Sequence, residues 1–292
     1  MKSPVVGGRG VLAKRNPPGS DGVVALAGNP NTGKSTVFNG LTGLNQHTGN
    51  WPGKTVTLAK GNYRYQNKLV TLVDLPGTYS LLANSTDEQV ARDFICFGKP
   101  DATVVVVDAT CLERNLNLAF QVMEITPKVI LCVNLIDEAK RKQIEVDYGK
   151  LAALLGVPVV PTAARDKVGL NTLKEAIHQM VFLHKQPQPR TVRYSQEIEA
   201  AVAKIQKELE PYLQGKIDAR WVALRLLDGD TTIIAEIKKY LQAETTEMAE
   251  TAEMANMAEM AEATESAGAT EASELAPRAH ETGGLEVVKC YK

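Results

Sequence analysis

One run of eight residues combines the groups that hold a polyphosphate chain: Gly28-Asn29-Pro30-Asn31-Thr32-Gly33-Lys34-Ser35. It follows the apolar run Val23–Ala27 and precedes a helical segment that begins near Thr36. Thr36 is the last residue of this region that is expected to contact the nucleotide. A glycine-rich turn between a strand and a helix presents backbone N–H groups to an anion, and the helix N-terminus adds positive charge. In this spacing Lys34 reaches the β- and γ-phosphates and the Ser35 hydroxyl binds Mg²⁺. The motif predicts nucleoside triphosphate binding rather than a Rossmann-type glycine turn.

A second motif, Asn134-Leu135-Ile136-Asp137, follows the apolar run Val129–Val133 and predicts the base. The Asp137 carboxylate can accept both the N1–H and the exocyclic N2–H of guanine. Adenine lacks these donors and would leave a desolvated carboxylate unpaired. We expect Asn134 to brace the site and to contact the other edge of the base. The position of the motif, two strands after the phosphate loop, favours guanine over the alternative of a helix-capping Asp and a turn Asn.

The motif Asp74-Leu75-Pro76-Gly77 ends the apolar run Leu69–Val73 and predicts contacts near the γ-phosphate. We expect Asp74 to hold a water of Mg²⁺ and the Gly77 N–H to contact the γ-phosphate. Thr78 occupies the next position, where Ras-type enzymes carry a glutamine that orients the attacking water. Because threonine is too short for that role, we expect slow hydrolysis that depends on Mg²⁺, Lys34 and backbone amides.

Two further loops complete the predicted site. In the polar segment that begins at Gly49, Thr55 is the expected second hydroxyl on Mg²⁺, with Thr48 and Thr57 as alternatives. The nucleotide contacts expected from this segment are Gly53, Lys54, Thr55, Val56 and Thr57. Late in the chain, the Ala164 backbone N–H is expected to contact the guanine oxygen, within the loop Ala163-Ala164-Arg165. Five elements in this order predict a GTP/GDP site with Mg²⁺.

Hydrophobic patterning predicts the elements that position these loops. Continuous Val, Ile and Leu runs are typical of strands covered on both faces, and the stretches between them have helical character. Strands are predicted at Val23–Ala27, 63–73 (a hairpin turning at Gln66-Asn67-Lys68), Ala102–Val107, Lys128–Val133 and Val157–Val160. Helices are predicted at Leu112–Thr126, Tyr148–Leu155 and Leu173–Phe182. The alternation predicts an α/β P-loop GTPase fold, a mostly parallel sheet with helices on both faces.

Composition divides the chain into four predicted parts. Residues 1–20 are rich in Gly and Pro and read as a flexible lead-in, and residues 21–186 form the GTP-binding domain. Residues 190–242 form a small all-α domain, which is expected to pack on the first domain because so short a segment buries little surface alone. Residues 243–292 form an Ala/Glu/Met-rich tail. We expect it to be disordered, because Met at every third position precesses around a helix instead of building one apolar face.

Charge and hydropathy exclude several function classes. The formal net charge of −1 divides into −8 for residues 243–292 and +7 for the remainder, which is too diffuse to favour nucleic acid as a partner. The sequence has no run of 18 uninterrupted apolar residues and no apolar core of a signal peptide. These features predict a cytoplasmic chain.

The motifs resemble those of the translation-factor-related small GTPases, and within them the cytosolic part of the prokaryotic ferrous-iron transporter FeoB. The resemblance covers about residues 22–242 and rests on Gly28-Asn29-Pro30-Asn31, on residues 48–53 and 74–81, and on the helical-domain sequence of residues 220–230. It implies a helical domain coupled to nucleotide state, somewhat like a built-in dissociation inhibitor. It also implies a membrane permease, in cis if the chain is truncated and in trans if the protein is split, and a place at the cytoplasmic face of the inner membrane. Small cytosolic Feo accessory proteins and homo-oligomers are further implied partners.

Three positions refine this resemblance. In related GTPases an Asn at the position of Asn31 helps to bind K⁺, together with switch-loop carbonyls that correspond to residues 49–51; the alternative is an Asn that only stabilises the turn. Ala163 and Arg165 stand where the family usually has Ser and Lys, which predicts weaker support for the last loop and faster nucleotide exchange.

Two other functions remain open from the sequence. A ribosome-assembly GTPase would normally add a basic RNA-binding module, such as a KH domain with its G-x-x-G loop, and no such module follows residue 185. A nucleotide-dependent interaction module with little hydrolysis is consistent with the missing glutamine at Thr78.

Overall fold

The structure, a computed structural model, describes residues 19–43, 46–50, 57–82, 85–185 and 187–243, with backbone alone for residues 46–50 and for Thr57. The strands are β1 (Gly22–Gly28), β2 (Gln46–Asn50), β3 (Thr57–Tyr65), β4 (Lys68–Asp74), β5 (Ala102–Asp108), β6 (Val129–Asn134) and β7 (Val159–Pro161). They form one sheet in the order β2-β3-β4-β1-β5-β6-β7. Strands β4, β1, β5, β6 and β7 run parallel, and β2 and β3 are antiparallel to their neighbours. The predicted mostly parallel sheet is confirmed.

Helices cover both faces of this sheet. They are α1 (Lys34–Thr42), α2 (Thr86–Phe97), α3 (Leu112–Ile125), α4 (Ile136–Arg141), α5 (Tyr148–Leu155), α6 (Leu170–Val181), α7 (Gln196–Leu213), α8 (Ala219–Leu227) and α9 (231–243). Side chains of β1 alternate between two buried clusters: Val24 and Leu26 pack with α1 and α6, whereas Ala25 and Ala27 pack with α2 and α3. Strands covered on both sides contain continuous apolar runs for this reason.

The hairpin between β3 and β4 turns where the sequence predicts. Gln66 and Asn67 occupy the two central positions, with φ values of 47° and 62°. A two-residue hairpin turn with positive φ at both positions matches the right-handed twist of its strands. The following strand β4 brings Asp74 to the carboxyl edge of the sheet beside β1.

Three elements differ from the sequence prediction. The polar loop expected from Gly49 onward begins inside strand β2, where Gly49 pairs with Leu58 and Asn50 with Thr57. Helices α2 and α4 were not predicted either. An edge strand is held by backbone pairing, so its polar sequence has no apolar alternation to reveal it.

The helical segment α7–α9 packs against the face of the sheet that carries α2 and α3. Trp221, Ile233, Ile237 and Tyr240 share one buried cluster with residues of those two helices. The boundaries at residues 186, 190 and 242 stay predictions. The lead-in up to residue 18 and the tail from residue 244 lie outside the described residues. Within the described ranges, none of the helices is both long and apolar enough to cross a membrane.

Candidate functional site

Four of the predicted loops meet at one edge of the sheet. They follow the carboxyl ends of β1, β4, β6 and β7. Parallel strands present their carboxyl ends at the same edge, which is where ligands bind in open α/β sheets.

The phosphate loop after β1 has a backbone that depends on its glycines. Gly33 has φ of 77° and Asn31 has φ of 65°, so both residues adopt the left-handed conformation. A Cβ atom at Gly28 would lie 2.6 Å from the carbonyl oxygen of Val106, and one at Gly33 would overlap the Asn134 amide. The buried Thr32 hydroxyl donates a 2.8 Å hydrogen bond to the Asn29 carbonyl and closes the turn. The chain therefore forms a tight cradle of backbone N–H groups directly before α1.

Changing Gly33 to Ala is expected to lower nucleotide affinity by about tenfold or more, because left-handed backbone costs a residue with a Cβ roughly 1–2 kcal/mol. The added atom would also displace Asn134. Titration with a fluorescent GDP analogue measures this change.

Gly43→Ala provides the matched control. Gly43 has φ of 65° and caps α1, but a Cβ there would meet nothing within 4 Å. Equal affinities of the two variants would contradict the expected role of the Gly33–Asn134 contact.

Asn134 joins two of the loops. Its buried side chain donates from Nδ2 to the Thr32 carbonyl at 2.9 Å. Its Oδ1 accepts hydrogen bonds from the Thr162 hydroxyl and from the Ala164 N–H, both at 3.1 Å. The side chain thus lies between the phosphate loop and the loop after β7, as the predicted brace requires. The Ala164 N–H, predicted to contact guanine, is bonded to Asn134 in this structure.

Asp137 lies in the first turn of α4, three residues beyond Asn134. Its carboxylate accepts a hydrogen bond from Arg141 at 3.2 Å, and its side chain is 30% exposed. The helix-capping alternative does not describe this arrangement, because the N-cap residue of α4 is Leu135 and no side chain caps the helix.

Lys34 and Asp74 form an ion pair at the centre of the site. The Lys34 ammonium lies 2.5 Å from Asp74 Oδ1, and the two side chains are 11% and 18% exposed. Burial raises the pKa of Asp74, and the Lys34 charge opposes that shift. Ser35 and Thr36 follow Lys34 in the first turn of α1. Cation and carboxylate are therefore close to the cradle, as a phosphate–metal site needs.

The segment after β4 lies against the phosphate loop. The Leu75 N–H donates to the Leu26 carbonyl at 3.0 Å, and the Thr78 N–H donates to the Gly28 carbonyl at 3.3 Å. Gly77 is close to Pro30. Thr78 is only 5% exposed, so its short side chain is enclosed rather than directed to solvent.

Comparison with known proteins gives the family. The family model described as ferrous iron transport protein B matches residues 22–177, and the model of the FeoB cytosolic helical domain matches residues 194–276. The chain belongs to the ferrous iron transport protein B family. The resemblance inferred from the motifs is confirmed.

Curated relatives and solved structures agree with this assignment. The Fe(2+) transporter FeoB of Escherichia coli K12 is 40% identical over 214 residues, which are 71% of this chain and 27% of that protein. The chain thus spans about a quarter of the length of the FeoB relatives it matches. The cytosolic domain of Legionella pneumophila FeoB superposes with a TM-score of 0.68 at 34% identity, covering 76% of this chain and 87% of that one. That of Thermotoga maritima FeoB in its GMPPNP form gives 0.66 at 37% identity, covering 75% and 85%.

The described residues fit a nucleotide at this FeoB site. Asn29 is 2% exposed, and its Nδ2 and Oδ1 have no hydrogen-bond partner within the part of the chain that the structure describes. Buried amide groups are normally paired, so these two atoms suit a ligand or the water that accompanies it. The two Asn29 atoms, together with Gly28 and Gly33, where a Cβ atom has no space, indicate a polar cradle.

Several predicted residues of this FeoB site cannot be placed. Gly53, Lys54, Thr55 and Val56 lie outside the described residues, and Thr57 begins β3. The choice of Thr55 over Thr48 or Thr57 stays a prediction.

Sequence reasoning missed Thr162 and Arg141. Thr162 is fully buried and supports Asn134, and Arg141 pairs with both Asp137 and Glu138. Arg141 stands four residues after Asp137. This spacing places two side chains on one side of a helix, so the pair could have been predicted from the sequence.

Proposed function

We propose that this chain binds GTP and GDP at the carboxyl edge of its sheet and hydrolyses GTP slowly. The observation that carries the proposal is the Asn134 side chain, which bonds to both the phosphate loop and the loop after β7; Asp137 follows it by three residues, in the first turn of α4. Support also comes from T. maritima FeoB structures described in GDP and GMPPNP forms, at 38% and 37% identity.

Each proposed role follows from the chemistry of the residue. Lys34 attracts the β- and γ-phosphates, the Gly77 N–H contacts the γ-phosphate, and Asp137 selects guanine. Mg²⁺, when bound, neutralises phosphate charge, and the residues proposed to hold it are Ser35, Thr55 and Asp74. The Ala164 N–H contacts the base oxygen by sharing or exchanging its bond to Asn134. Thr78 cannot orient the attacking water, so the intrinsic rate is slow.

Multiple-turnover phosphate release tests this function. GTP in excess over the protein, in KCl with Mg²⁺, is expected to give several turnovers, and ATP none. Release of less than one phosphate per chain would favour the interaction module with little hydrolysis. Capture of RNA from total RNA would favour the ribosome-assembly alternative.

Potassium stimulation makes a separate prediction for Asn31. We expect the rate in KCl to exceed that in NaCl by about tenfold or more, because a positive group on the transferred phosphoryl contributes at least that much. Asn31→Ala should remove the difference between the salts. The comparison is a kcat measurement in each salt.

Asn31→Gly separates the two interpretations of this residue. Its φ of 65° suits a turn-forming Asn, and glycine keeps that conformation while it removes the side-chain oxygen. Stimulation that survives in Asn31→Gly would show that the side chain acts only on the turn. Equal wild-type rates in both salts would overturn the K⁺ proposal.

The biological role proposed for the switch is control of ferrous-iron uptake through a membrane permease, in cis or in trans, at the cytoplasmic face of the inner membrane. The names of the relatives support it: they are Fe(2+) transporters, of which this chain spans 27%. Feo accessory proteins and a second copy of the chain are proposed partners, and nucleic acid is not. Iron uptake in cells that express the permease with this chain, compared with its Lys34→Ala variant, tests the role.

A further inference from the structure

The phosphate loop contains a buried amide group that is unpaired in the described part of the chain. Asn29 is 2% exposed, and neither its Nδ2 nor its Oδ1 has a hydrogen-bond partner among the described residues. In the same loop, the buried Thr32 hydroxyl is paired, because it donates to the Asn29 carbonyl at 2.8 Å. A buried amide without partners costs stability, since it gives up its bonds to water and gains none. The residue therefore needs an explanation in a second arrangement of the protein that does pair it.

The residues on both sides of Asn29 contact the segment after β4. Before it, the Gly28 carbonyl accepts a hydrogen bond from the Thr78 N–H at 3.3 Å. After it, the Pro30 nitrogen would lie 3.6 Å from a Cβ atom at Gly77. Asn29 is thus placed between two points at which this segment lies against the phosphate loop. The peptide N–H and C=O groups of the segment are therefore the candidate partners for the Asn29 amide.

The proposed γ-phosphate contact acts on this same segment. The Gly77 N–H is proposed to bond to the γ-phosphate, which GDP lacks. Asp74, directly before the segment, is paired with Lys34 at 2.5 Å, and both residues are proposed to serve Mg²⁺ and the phosphates instead when a triphosphate is bound. The exchange of this ion pair and the new bond at Gly77 both displace the backbone that borders Asn29. A triphosphate therefore brings the segment into a different position from the one described.

We infer that Asn29 is a positioning residue for the triphosphate state: its buried amide bonds to the backbone of residues 77–79 when the γ-phosphate draws that segment onto the phosphate loop. The inference rests on the proposed nucleotide function, and it assigns part of the discrimination between GTP and GDP to this side chain. The unpaired amide raises the free energy of one arrangement, and pairing lowers that of the other. A ligand that selects the second arrangement gains this difference as affinity.

The test is the ratio of GMPPNP affinity to GDP affinity in Asn29→Leu. Leucine has a similar size and no polar atoms, so the ratio is expected to fall by about tenfold, as for the loss of two hydrogen bonds. Titration with fluorescent analogues of both nucleotides in Mg²⁺ measures it. Asn29→Ala should show the same fall, and it keeps the test usable if leucine does not fit.

Thermal unfolding supplies a second measurement of opposite sign. Because leucine removes two unpaired buried polar atoms, Tm of Asn29→Leu without GMPPNP should rise by about 2–4 °C. An Asn29 amide that serves only the structure, through an internal water, would make the same substitution lower Tm.

Thr32→Val is the matched control. Thr32 is also 2% exposed in the phosphate loop, and its hydroxyl bond closes the turn in the described arrangement. Valine should therefore lower Tm and weaken GDP and GMPPNP by the same factor. Equal weakening of both nucleotides by Asn29→Leu, or a fall in its Tm, would overturn the inference and leave the proposed function standing. Failure of the wild-type chain to bind either nucleotide would overturn the proposed function itself.

Discussion

Replacing Asp137 with Asn is expected to lower the affinity for GTP by about 100-fold and to raise the affinity for xanthosine triphosphate. The carboxylate offers two acceptors to the N1–H and N2–H donors of guanine, and hydrogen bonds to charged groups contribute about 1.5–3 kcal/mol each. An amide presents one acceptor and one N–H donor, so its NH₂ opposes the guanine amino group. Xanthine carries an oxygen at that position, which accepts the bond.

Competition binding with the two nucleotides measures this change in preference. Glu138→Gln is the control, since Glu138 is the next residue of α4 and also pairs with Arg141, at 2.5 Å. It removes the same charge without removing the proposed base contact. An Asp137→Asn chain that still prefers GTP to xanthosine triphosphate would contradict the role of Asp137.

Changing Lys34 to Ala is expected to lower kcat/KM for GTP by about 1000-fold, the upper end of what the loss of a single oxyanion donor costs. Two effects combine. The phosphates lose their main cation, and Asp74, whose pKa burial already raises, loses the charge that opposes that shift. The site then holds an uncompensated carboxylate that repels the phosphates.

Phosphate-release kinetics and GDP binding measure the effect of Lys34→Ala. Adding Asp74→Asn to Lys34→Ala should recover part of the GDP affinity, since it removes the repelling carboxylate, although hydrolysis stays low. Lys68→Ala is the control at the opposite end of β4, where Lys68 pairs with Asp21 at 3.5 Å and both side chains are well exposed. Its activity should match wild type. Wild-type kcat/KM in Lys34→Ala would exclude the assigned role.

The central sheet was predictable because its strands are apolar on both faces. The run Ala102–Val107 matches β5 except for the final residue, and helix α5 was predicted with its observed bounds, Tyr148–Leu155. Helix α2 was not predictable in this way. Arg92 and Asp93 lie on its buried side. A prediction from hydrophobic periodicity instead assigns charged residues to the side of a helix that faces solvent. Arg92 donates to Asp230 Oδ2 at 3.2 Å, and Asp230 is far away in the chain.

The candidate site was also predictable only in part. The sequence predicted that Asn134 braces the site, because its motif follows a strand of the same parallel sheet as the phosphate loop; in the structure β5 lies between β1 and β6. The sequence did not predict that the Ala164 N–H is bonded to Asn134, or that Thr162 supports the same side chain. Hydrogen bonds between loops depend on the relative positions of strand ends, and short motifs do not encode those positions.

The two-sided contact of Asn134 has a thermodynamic consequence. One side chain bonds to the Thr32 carbonyl of the phosphate loop and to the Ala164 N–H of the loop that is proposed to contact the base. Any ligand that orders one loop therefore lowers the cost of ordering the other, and such coupling is reciprocal. Guanosine should strengthen the binding of a separate pyrophosphate by the same factor by which pyrophosphate strengthens guanosine. Binding of the base and binding of the phosphates are then positively cooperative.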